Sequence, residues 1–380
     1  MIYNDSFQKD LERDLYKIYK NYGKKVNINL VKEIENDFKN MKNINEESKF
    51  PLIKYSIKNN KVIIDKKFFK IYKKEKDDRL IHNLELIKNS IKWAKENKLY
   101  VPNTSLYIWI SDRFPYHSQN LDSFPIYVYS RPENIDMPIF PDNTFYCLNI
   151  KEKYRGKCYD WDSVKNIIKE NCKENCKDKK ELIYFKGTDT TKGKHNLRNK
   201  LVKEMIRKTK KSNLPISIYL DAWKNYEPIY NFCNYLFLLN LPGHYPWSNR
   251  LKYLFLMNSI IINVNIELIN IEPYYVDKKY ITLIDYVMKP KNYIEIVFKY
   301  YRCDWKCKTK ALQSKLNILN DLEFDKFLNK LKNIYLDYQK QPSKYEKMVK
   351  SSRKRIEKLN NERIYQYIYK CILLNSELIK

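Results

Sequence analysis

The residues best suited to chemistry stand where an apolar, helix-like run begins. Ser248, Arg250 and Lys252 open this run inside the stretch LPGHYPWSNRLKYLFLMNS, residues 241–259. A cation at the start of a helix is electrostatically disfavoured unless an anion is bound there, since the helix dipole and the free N–H groups favour negative charge. The stretch therefore indicates a bound anion, although a surface position for both basic residues is the plainer interpretation.

Two further stretches place reactive groups at the ends of strand-like runs. Asp112 follows the apolar run SLYIWIS, residues 105–111, and Gly187 closes the run ELIYFKG. A glycine lets the backbone approach a ligand closely, while Lys186 and Thr188 beside it offer a charge and a hydroxyl. A carboxylate such as Asp112 can accept a proton, but an aspartate after a strand is more often a turn or cap residue.

The elements around these groups alternate between strand-like and helix-like patterns. In the first half, apolar spacing predicts a helix over 7–22, a hairpin turning at Asn59-Asn60, a helix over 77–98 and strands over 105–111 and 124–130. A charged stretch, 151–180, is predicted to be a linker. In the second half, we predict strands over 181–187, 214–220, 234–243 and 259–265, with helices over 195–208 and 249–258.

This alternation predicts an α/β fold with parallel strands. In such sheets ligands bind beside the carboxyl ends of the strands, often between two domains. Asp112 and the loops at 186–191 and 243–250 all occupy such positions, so we expect them to converge on one cleft.

Composition sets the broad class of the protein. The chain has 380 residues, of which 43% are hydrophobic and 15% aromatic, so it is folded and long enough for two domains. It has no window of about 18 uncharged apolar residues and no apolar signal peptide, and we therefore expect no transmembrane segment and a location in the cytoplasm, or in that of a host cell.

The net charge of +28 leaves two interpretations open. A basic surface suits nucleic acid, because phosphate contacts release counterions. However, the lysines are spread along the whole chain with many asparagines, isoleucines and tyrosines, which is typical of an A/T-rich genome. No familiar nucleic-acid motif is present, so no specific nucleic acid is expected as a partner.

Cysteines and one acidic pair raise the question of metal. Cys172/Cys176 and Cys303/Cys307 have a spacing that zinc permits, but neither pair sits in a glycine-marked turn, so we favour local disulfides or free thiols, between which the sequence does not choose. The stretch DWD, residues 160–162, looks like a metal-binding pair, and we favour a helix N-cap for it.

Six blocks in order resemble glycosyltransferase family 90. They are ISDRFP (110–115), IFPDNTF (139–145), YFKGTDTT (184–191), CNYLFLLNLPG (233–243), SNRLKYLFLMNS (248–259) and EPYY (272–275). Each block alone is weak, but chance would have to supply all six in sequence. The resemblance extends from the hairpin near residue 51 to about residue 340.

The resemblance implies two Rossmann-like domains of the GT-B type that face a cleft, with an N-terminal hairpin and helices and a helical C-terminal tail. Residues 1–175 then form an acceptor-side domain and 176–325 a nucleotide-sugar domain, while 326–380 are helices that pack back on the first domain. The implied activity is metal-independent and inverting, with a UDP-sugar as substrate, no cofactor, and a protein or glycan as acceptor. Glucose and xylose are the sugars that we expect.

The same resemblance gives roles to residues. Asp112 matches the general base, and Ser248 and Arg250 match a phosphate-gripping pair. The other residues expected to bind the donor are Lys186, Gly187, Thr188, Arg198, Gly243, Lys252 and Glu272, and Arg113 and Tyr116 are expected on the acceptor side.

Departures from the family pattern keep alternatives open. Lys186 stands where the family usually has arginine, which replaces a bidentate fork by a point charge. Asn234 stands where lysine is common, and Asp285 lies near an expected histidine. A basic protein that binds nucleic acid or an anionic polymer, and an inactive transferase-like scaffold that binds glycans, are the alternative hypotheses.

Overall fold

The described residues form two larger β-sheets, of four and six strands, and two small sheets of two strands each, with helices packed around them. The structure is a computed structural model and describes residues 2–22, 52–66, 69, 78–111, 125–149, 158–172, 178–187, 197–209, 214–220, 227–243, 247–271, 274–303 and 309–378. Strands and helices are intermixed along the chain, which confirms the predicted α/β class.

The helices, in chain order, are α1 (Ser6–Tyr22), α2 (Asp78–Glu96), α3 (Trp161–Asn171), α4 (Leu197–Thr209), α5 (Leu251–Leu254), α6 (Leu283–Val287), α7 (Lys310–Lys340), α8 (Pro342–Ile356) and α9 (Asn361–Leu378). The strands are β1 (Leu52–Lys58), β2 (Lys61–Ile64), β3 (Thr104–Trp109), β4 (Ile126–Val128), β5 (Ser130–Pro132), β6 (Leu148–Asn149), β7 (Cys158–Tyr159), β8 (Lys180–Lys186), β9 (Ile216–Tyr219), β10 (Tyr235–Asn240), β11 (Ile260–Asn270), β12 (Tyr275–Asp277), β13 (Tyr280–Thr282) and β14 (Ile294–Arg302).

The first sheet has the order β2-β1-β3-β4. Strand β1 is antiparallel to both β2 and β3, and only β3 and β4 run parallel. Asn59 and Asn60 form the predicted hairpin turn with φ values of 49° and 62°, in the left-handed region that asparagine tolerates better than most residues. This sheet is therefore mixed: its hairpin was predicted from the sequence, whereas the antiparallel pairing of β1 with β3 departs from the parallel layers that the alternation of strands and helices predicted.

The second sheet has a parallel core in the order β9-β8-β10-β11-β14, and β12 is antiparallel to the end of β11. The chain moves from β8 outward to β9 and then returns to the other side of β8 with β10. The direction of winding thus reverses between β8 and β10. In doubly wound sheets, the crevice for a ligand lies at the carboxyl ends of the two strands that flank such a reversal.

Two sequence predictions were wrong in extent. The predicted linker over 151–180 contains α3, whose Trp161, Val164 and Ile168 are fully buried. The predicted helix over 249–258 is only the four-residue α5, since the chain continues in turns to β11. Both errors concern stretches where charge or uniform burial hides the helical period.

The acidic pair in DWD is structural. Asp160 accepts a hydrogen bond from the Ser163 amide at 2.9 Å and is the predicted N-cap of α3. Asp162 pairs with Lys165 at 2.7 Å and accepts from the Asn361 amide at 3.0 Å. Both carboxylates thus secure α3, one at its own amino end and the other against the start of α9.

Cysteines occur both oxidised and reduced. A disulfide joins Cys147 to Cys158 across β6 and β7, and Cys303 is disulfide-bonded as well. Cys172 is a buried free thiol that packs near Cys233, and its Sγ lies 3.8 Å from the Tyr230 carbonyl oxygen. Cys176 and Cys307 lie outside the described residues. Among the helices that the structure describes, none has the length and apolar character needed to cross a membrane.

The last helix completes the core around the first sheet. Ile364, Tyr367, Ile368 and Ile372 of α9 are buried in one cluster with residues of α1, α2 and β1. Tyr367 donates to the Ile139 carbonyl at 2.8 Å. By contrast, α7 packs on β14 of the second sheet. The domain boundaries at 175 and 325 stay predictions.

Candidate functional site

Two glycines mark the strand ends that flank the winding reversal. Gly187 follows β8, and Gly243 follows β10 after Leu241 and Pro242. A Cβ at Gly187 would lie 2.7 Å from the ring of Phe185, and one at Gly243 would lie 3.1 Å from the Trp247 carbonyl oxygen. A larger residue at Gly187 would displace that ring. Each loop can approach its neighbours this closely because it has a glycine, which lacks a Cβ, at the point of contact.

Arg198, near the start of α4, lies between these two loops. Its Nε donates to the Pro242 carbonyl at 2.7 Å, and its terminal nitrogens lie 3.6 Å from the positions that a Cβ would take at Gly187 and at Gly243. The residue is only 7% exposed. The fold thus holds a guanidinium at the crevice between β8 and β10, where the sequence placed a donor-binding residue.

Arg250 brings a second guanidinium to the same place. Its Nη1 donates to the Lys186 carbonyl at 2.5 Å, and the group lies 4.7 Å from the centre of the Phe185 ring. The Arg198 guanidinium lies 6.0 Å from the same ring centre. The Nε and Nη2 atoms of Arg250 are shut off from solvent and have no hydrogen-bond partner among the described residues.

Burial lowers the pKa of both guanidinium groups of this arginine pair. Burial, and next to it repulsion from Arg198, lowers the pKa of Arg250 to about 9. Burial lowers the pKa of Arg198 to about 10. In the part of the chain that the structure describes, neither guanidinium forms an ion pair. Two buried cations that have no counterion among the described residues would be costly, and a bound dianion would remove that cost.

Lys186 is held away from this pair by an acid. Its ammonium lies 3.3 Å from Glu227, and the Tyr184 hydroxyl donates to the same carboxylate oxygen at 2.5 Å. Tyr184 in turn stacks on Tyr235 with ring centres 3.7 Å apart. Lys186 therefore contributes its carbonyl to Arg250, while Glu227 balances its charge.

Ser248 lies in the turn that carries Arg250. Its Oγ is 3.4 Å from the Arg250 amide nitrogen, and Trp247 just before it accepts from the Gly243 amide at 2.7 Å. The helix whose amino end was predicted at this turn is α5, which has a single turn, so a helix dipole adds little positive charge here. The guanidinium groups supply the positive charge instead.

Lys252 points elsewhere. It is 1% exposed, and its ammonium bonds both oxygens of Asp142 at 2.5 and 2.7 Å. It also lies 4.3 Å from the centre of the Phe145 ring. Burial lowers the pKa of Lys252, although Asp142 opposes that change. The ion pair joins the turn of Arg250 to the segment after β5 and leaves no free charge on Lys252 for a ligand.

The remaining predicted site residues lie outside the described residues. They are Asp112, Arg113, Tyr116, Thr188 and Glu272. The structure thus brings together Arg198, Arg250, Gly187 and Gly243, with Ser248 beside them. Sequence reasoning missed Phe185 and Glu227; an aromatic residue directly before a lysine and a glycine at a strand end was the available signal for Phe185.

A cavity opens between the arginine-bearing turn and the first half of the chain. Tyr129, Asp142, Trp247, Ser248 and Thr282 line it, with neighbours from α5 and α6. It therefore has walls from both halves of the chain. Its volume is only about 10 Å³, which is room for about one water molecule, so the cavity marks where the two halves pack and is too small to admit an acceptor.

Comparison with known protein families identifies one whose model matches most of the chain. The model of the family described as "Glycosyl transferase family 90" matches residues 29–277, which is more than half of the 380 residues. The matched range includes the arginine pair and both glycine loops. No curated protein matches the chain.

Proposed function

Since the chain belongs to glycosyltransferase family 90, we propose that it moves glucose or xylose from a UDP-sugar to a hydroxyl group of a protein or glycan, with inversion and without a metal ion. The observation that supports this most directly is the pair of buried guanidinium groups, Arg198 and Arg250, at the strand ends of a doubly wound sheet. A nucleoside diphosphate is the dianionic group that such a crevice fits.

The arginine pair has a defined task in such a transfer. As the bond between the anomeric carbon and the diphosphate breaks, negative charge grows on the leaving oxygen. Preorganised cations lower the barrier when they face that charge in a site that excludes water. Two guanidinium groups supply the two positive charges that a divalent cation supplies in metal-dependent transfer, which is the basis for proposing a metal-independent reaction.

The second requirement is a base. An inverting transfer proceeds through an oxocarbenium-like state while a carboxylate takes the proton of the acceptor hydroxyl. We assign this role to Asp112, which follows the β3 strand of the first sheet by three residues. Arg113 and Tyr116 would then line the acceptor side, and Thr188 and Glu272 the donor side.

A GT-B arrangement accounts for these positions. The second sheet carries the donor residues, and the first sheet carries the base, so the acceptor hydroxyl and the anomeric carbon would meet in the cleft between them.

Ligand-induced thermal stabilisation tests this proposal. The purified protein is heated with UDP, UDP-glucose, UDP-xylose, and adenine and guanine diphosphates, with EDTA present and at two salt concentrations. A selective rise in Tm with the uridine nucleotides supports the donor site, because a ligand that binds only the native state stabilises it. No rise with any nucleotide, together with salt-sensitive binding of nucleic acid, would replace the proposal by the polymer-binding hypothesis.

A further inference from the structure

Three buried asparagines form a chain of amides across β10 and β11. Asn240 donates from Nδ2 to Asn263 Oδ1 at 2.7 Å, and Asn263 donates from Nδ2 to Asn265 Oδ1 at 3.1 Å. Each of the three residues exposes only 3–4% of its surface. Asparagine is depleted in strands and is seldom buried, and its neighbours here on β10 and β11 are mostly isoleucine, leucine and valine, so this amide chain requires an explanation.

Both ends of the amide chain lack a partner. Asn240 Oδ1 at one end and Asn265 Nδ2 at the other are buried and make no hydrogen bond within the described residues. Most buried polar atoms in proteins are hydrogen-bonded, since an unmade bond costs the full desolvation of the group. One end thus offers an acceptor and the other a donor.

A different buried asparagine shows the ordinary structural solution. Asn292 is 3% exposed, its Nδ2 donates to Ser351 Oγ at 2.9 Å, and its Oδ1 accepts from the Lys289 amide at 3.1 Å. Its amide is therefore satisfied on both sides by the protein itself. The amide chain differs from it in having two open ends.

The position of the amide chain relates it to the arginine pair. The neighbours Leu239 and Leu241 face the helix α4 side of the sheet, so Asn240 faces the opposite side, as do Asn263 and Asn265. That opposite side shares its apolar cluster with the first sheet, through Leu238 and Ile261. Arg198 reaches the end of the same strand from the α4 side, where Pro242 accepts its hydrogen bond.

We propose that the Asn240–Asn263–Asn265 chain binds hydroxyl groups of the transferred sugar, an inference that rests on the proposed function. A ligand whose diphosphate lies on Arg198 and Arg250 has its sugar one bond further on, and the cleft side of β10 is the side from which an acceptor must approach. A hydroxyl both donates and accepts, so two neighbouring hydroxyls satisfy the open oxygen and the open nitrogen together. Groups left unpaired by the wrong sugar would make the amides a source of selectivity.

The test compares a ligand with the sugar to one without it. Dissociation constants for UDP, UDP-glucose and UDP-xylose are measured by calorimetry on the wild-type chain and on Asn265→Ser, Asn265→Leu and the triple variant N240L/N263L/N265L. Asn292→Ala serves as the matched control, because it removes a buried amide that has its own partners, in the 3-10 turn Pro290–Asn292 just before β14.

We expect the Asn265 variants to change the affinity for a UDP-sugar but not the affinity for UDP. Losing one or two hydrogen bonds should reduce the preference for the best UDP-sugar over UDP roughly tenfold in the Asn265 variants, with the UDP constant unchanged. The triple variant should keep the wild-type Tm or exceed it, because it removes open polar atoms from the interior. Asn292→Ala should lower Tm and leave the preference intact.

Two outcomes overturn the inference in different ways. An unchanged preference in all the Asn265 variants, or a triple variant that unfolds like Asn292→Ala, would assign the amide chain to structure alone. Wild-type protein that binds neither UDP nor a UDP-sugar would instead overturn the proposed function.

Discussion

Lys252 and Asp142 form an ion pair of 2.5 Å whose ammonium is 1% and whose carboxylate is 11% exposed. The two residues are 110 positions apart in sequence. Asp142 also accepts from the Thr144 amide at 3.1 Å, and the pair therefore fixes the turn of Arg250 to a 3-10 turn at Asn143–Phe145. The rigidity of the arginine-bearing turn depends on a residue that belongs to the other half of the chain.

We predict that breaking this ion pair destabilises the protein without disabling the donor site. Lys252→Met and Asp142→Leu should each lower the free energy of unfolding by about 3–5 kcal/mol, since each leaves a buried charge alone. The double variant should lose far less than the sum, and it should bind UDP like the wild type. Urea unfolding and calorimetry measure both quantities. A large loss of UDP affinity in the double variant would return Lys252 to the donor site.

Arg250 should matter for binding more than for folding. Arg250→Ala is expected to weaken UDP binding by about 1.5–3 kcal/mol, because charged hydrogen bonds to the diphosphate are lost. Arg250→Lys should recover little, since an ammonium lacks the bidentate fork. The exposed Arg207, which pairs with Glu204 at 2.7 Å, provides the control Arg207→Ala. Equal dissociation constants for all three variants would remove Arg250 from the site.

Asp112→Asn should separate catalysis from binding. Because the base acts on the acceptor hydroxyl and not on the diphosphate, transfer should be abolished while the UDP constant stays close to that of the wild type. Radiolabelled sugar transfer and calorimetry on the same preparation make the comparison. Turnover at the wild-type rate in Asp112→Asn would exclude it as the base.

Asp285 should make stability depend on pH. Burial raises its pKa from 3.8 to about 6, against hydrogen bonds from the Thr282 amide and hydroxyl at 2.8 and 2.9 Å. Between about pH 4 and 6 the folded protein holds a proton that the unfolded chain has released, so the contribution of Asp285 is present below pH 4 and is lost as pH rises through 6.

The comparison with Asp285→Asn isolates this contribution. From pH 4 to 7, the free energy of unfolding of the wild type should fall relative to that of the variant by up to about 3 kcal/mol. Urea titrations at intervals across this range measure the difference. Parallel curves for the two proteins would show that Asp285 does not carry the pH dependence.

The sequence predicted the elements that have a regular apolar period. The helix over 7–22 is α1, and the paired asparagines at 59 and 60 form the hairpin turn. Arg198 and Arg250 were both chosen from the sequence, and the structure brings their guanidinium groups to one ring. Local spacing suffices for the helix and the turn because neighbours in sequence determine them, whereas the two arginines come from distant parts of the chain and their roles were assigned through the family resemblance.

What the sequence could not predict depends on distant partners. From the sequence alone, Lys252 and Lys186 are both candidates for a free positive charge. The structure shows that Asp142 pairs with Lys252 and that Glu227 pairs with Lys186. Trp161, Val164 and Ile168 have the apolar spacing of helix α3, but the charged residues and cysteines around them led to the prediction of a linker. In 255–259 every side chain is buried, so no periodicity separates turns from helix there.

The packing of α9 has a consequence for synthesis. Its buried side chains fill the core beneath the first sheet, next to α1 at the other end of the sequence, where Arg363 pairs with Asp5 at 2.6 Å. On the ribosome the strands of the second sheet emerge before α9 and already have their own apolar cluster. The amino-terminal half, though translated first, keeps an open core until α9 has been made. The face of the second sheet that carries Leu238 and Ile261 belongs to the same cluster and waits with it, whereas the opposite face can pack earlier.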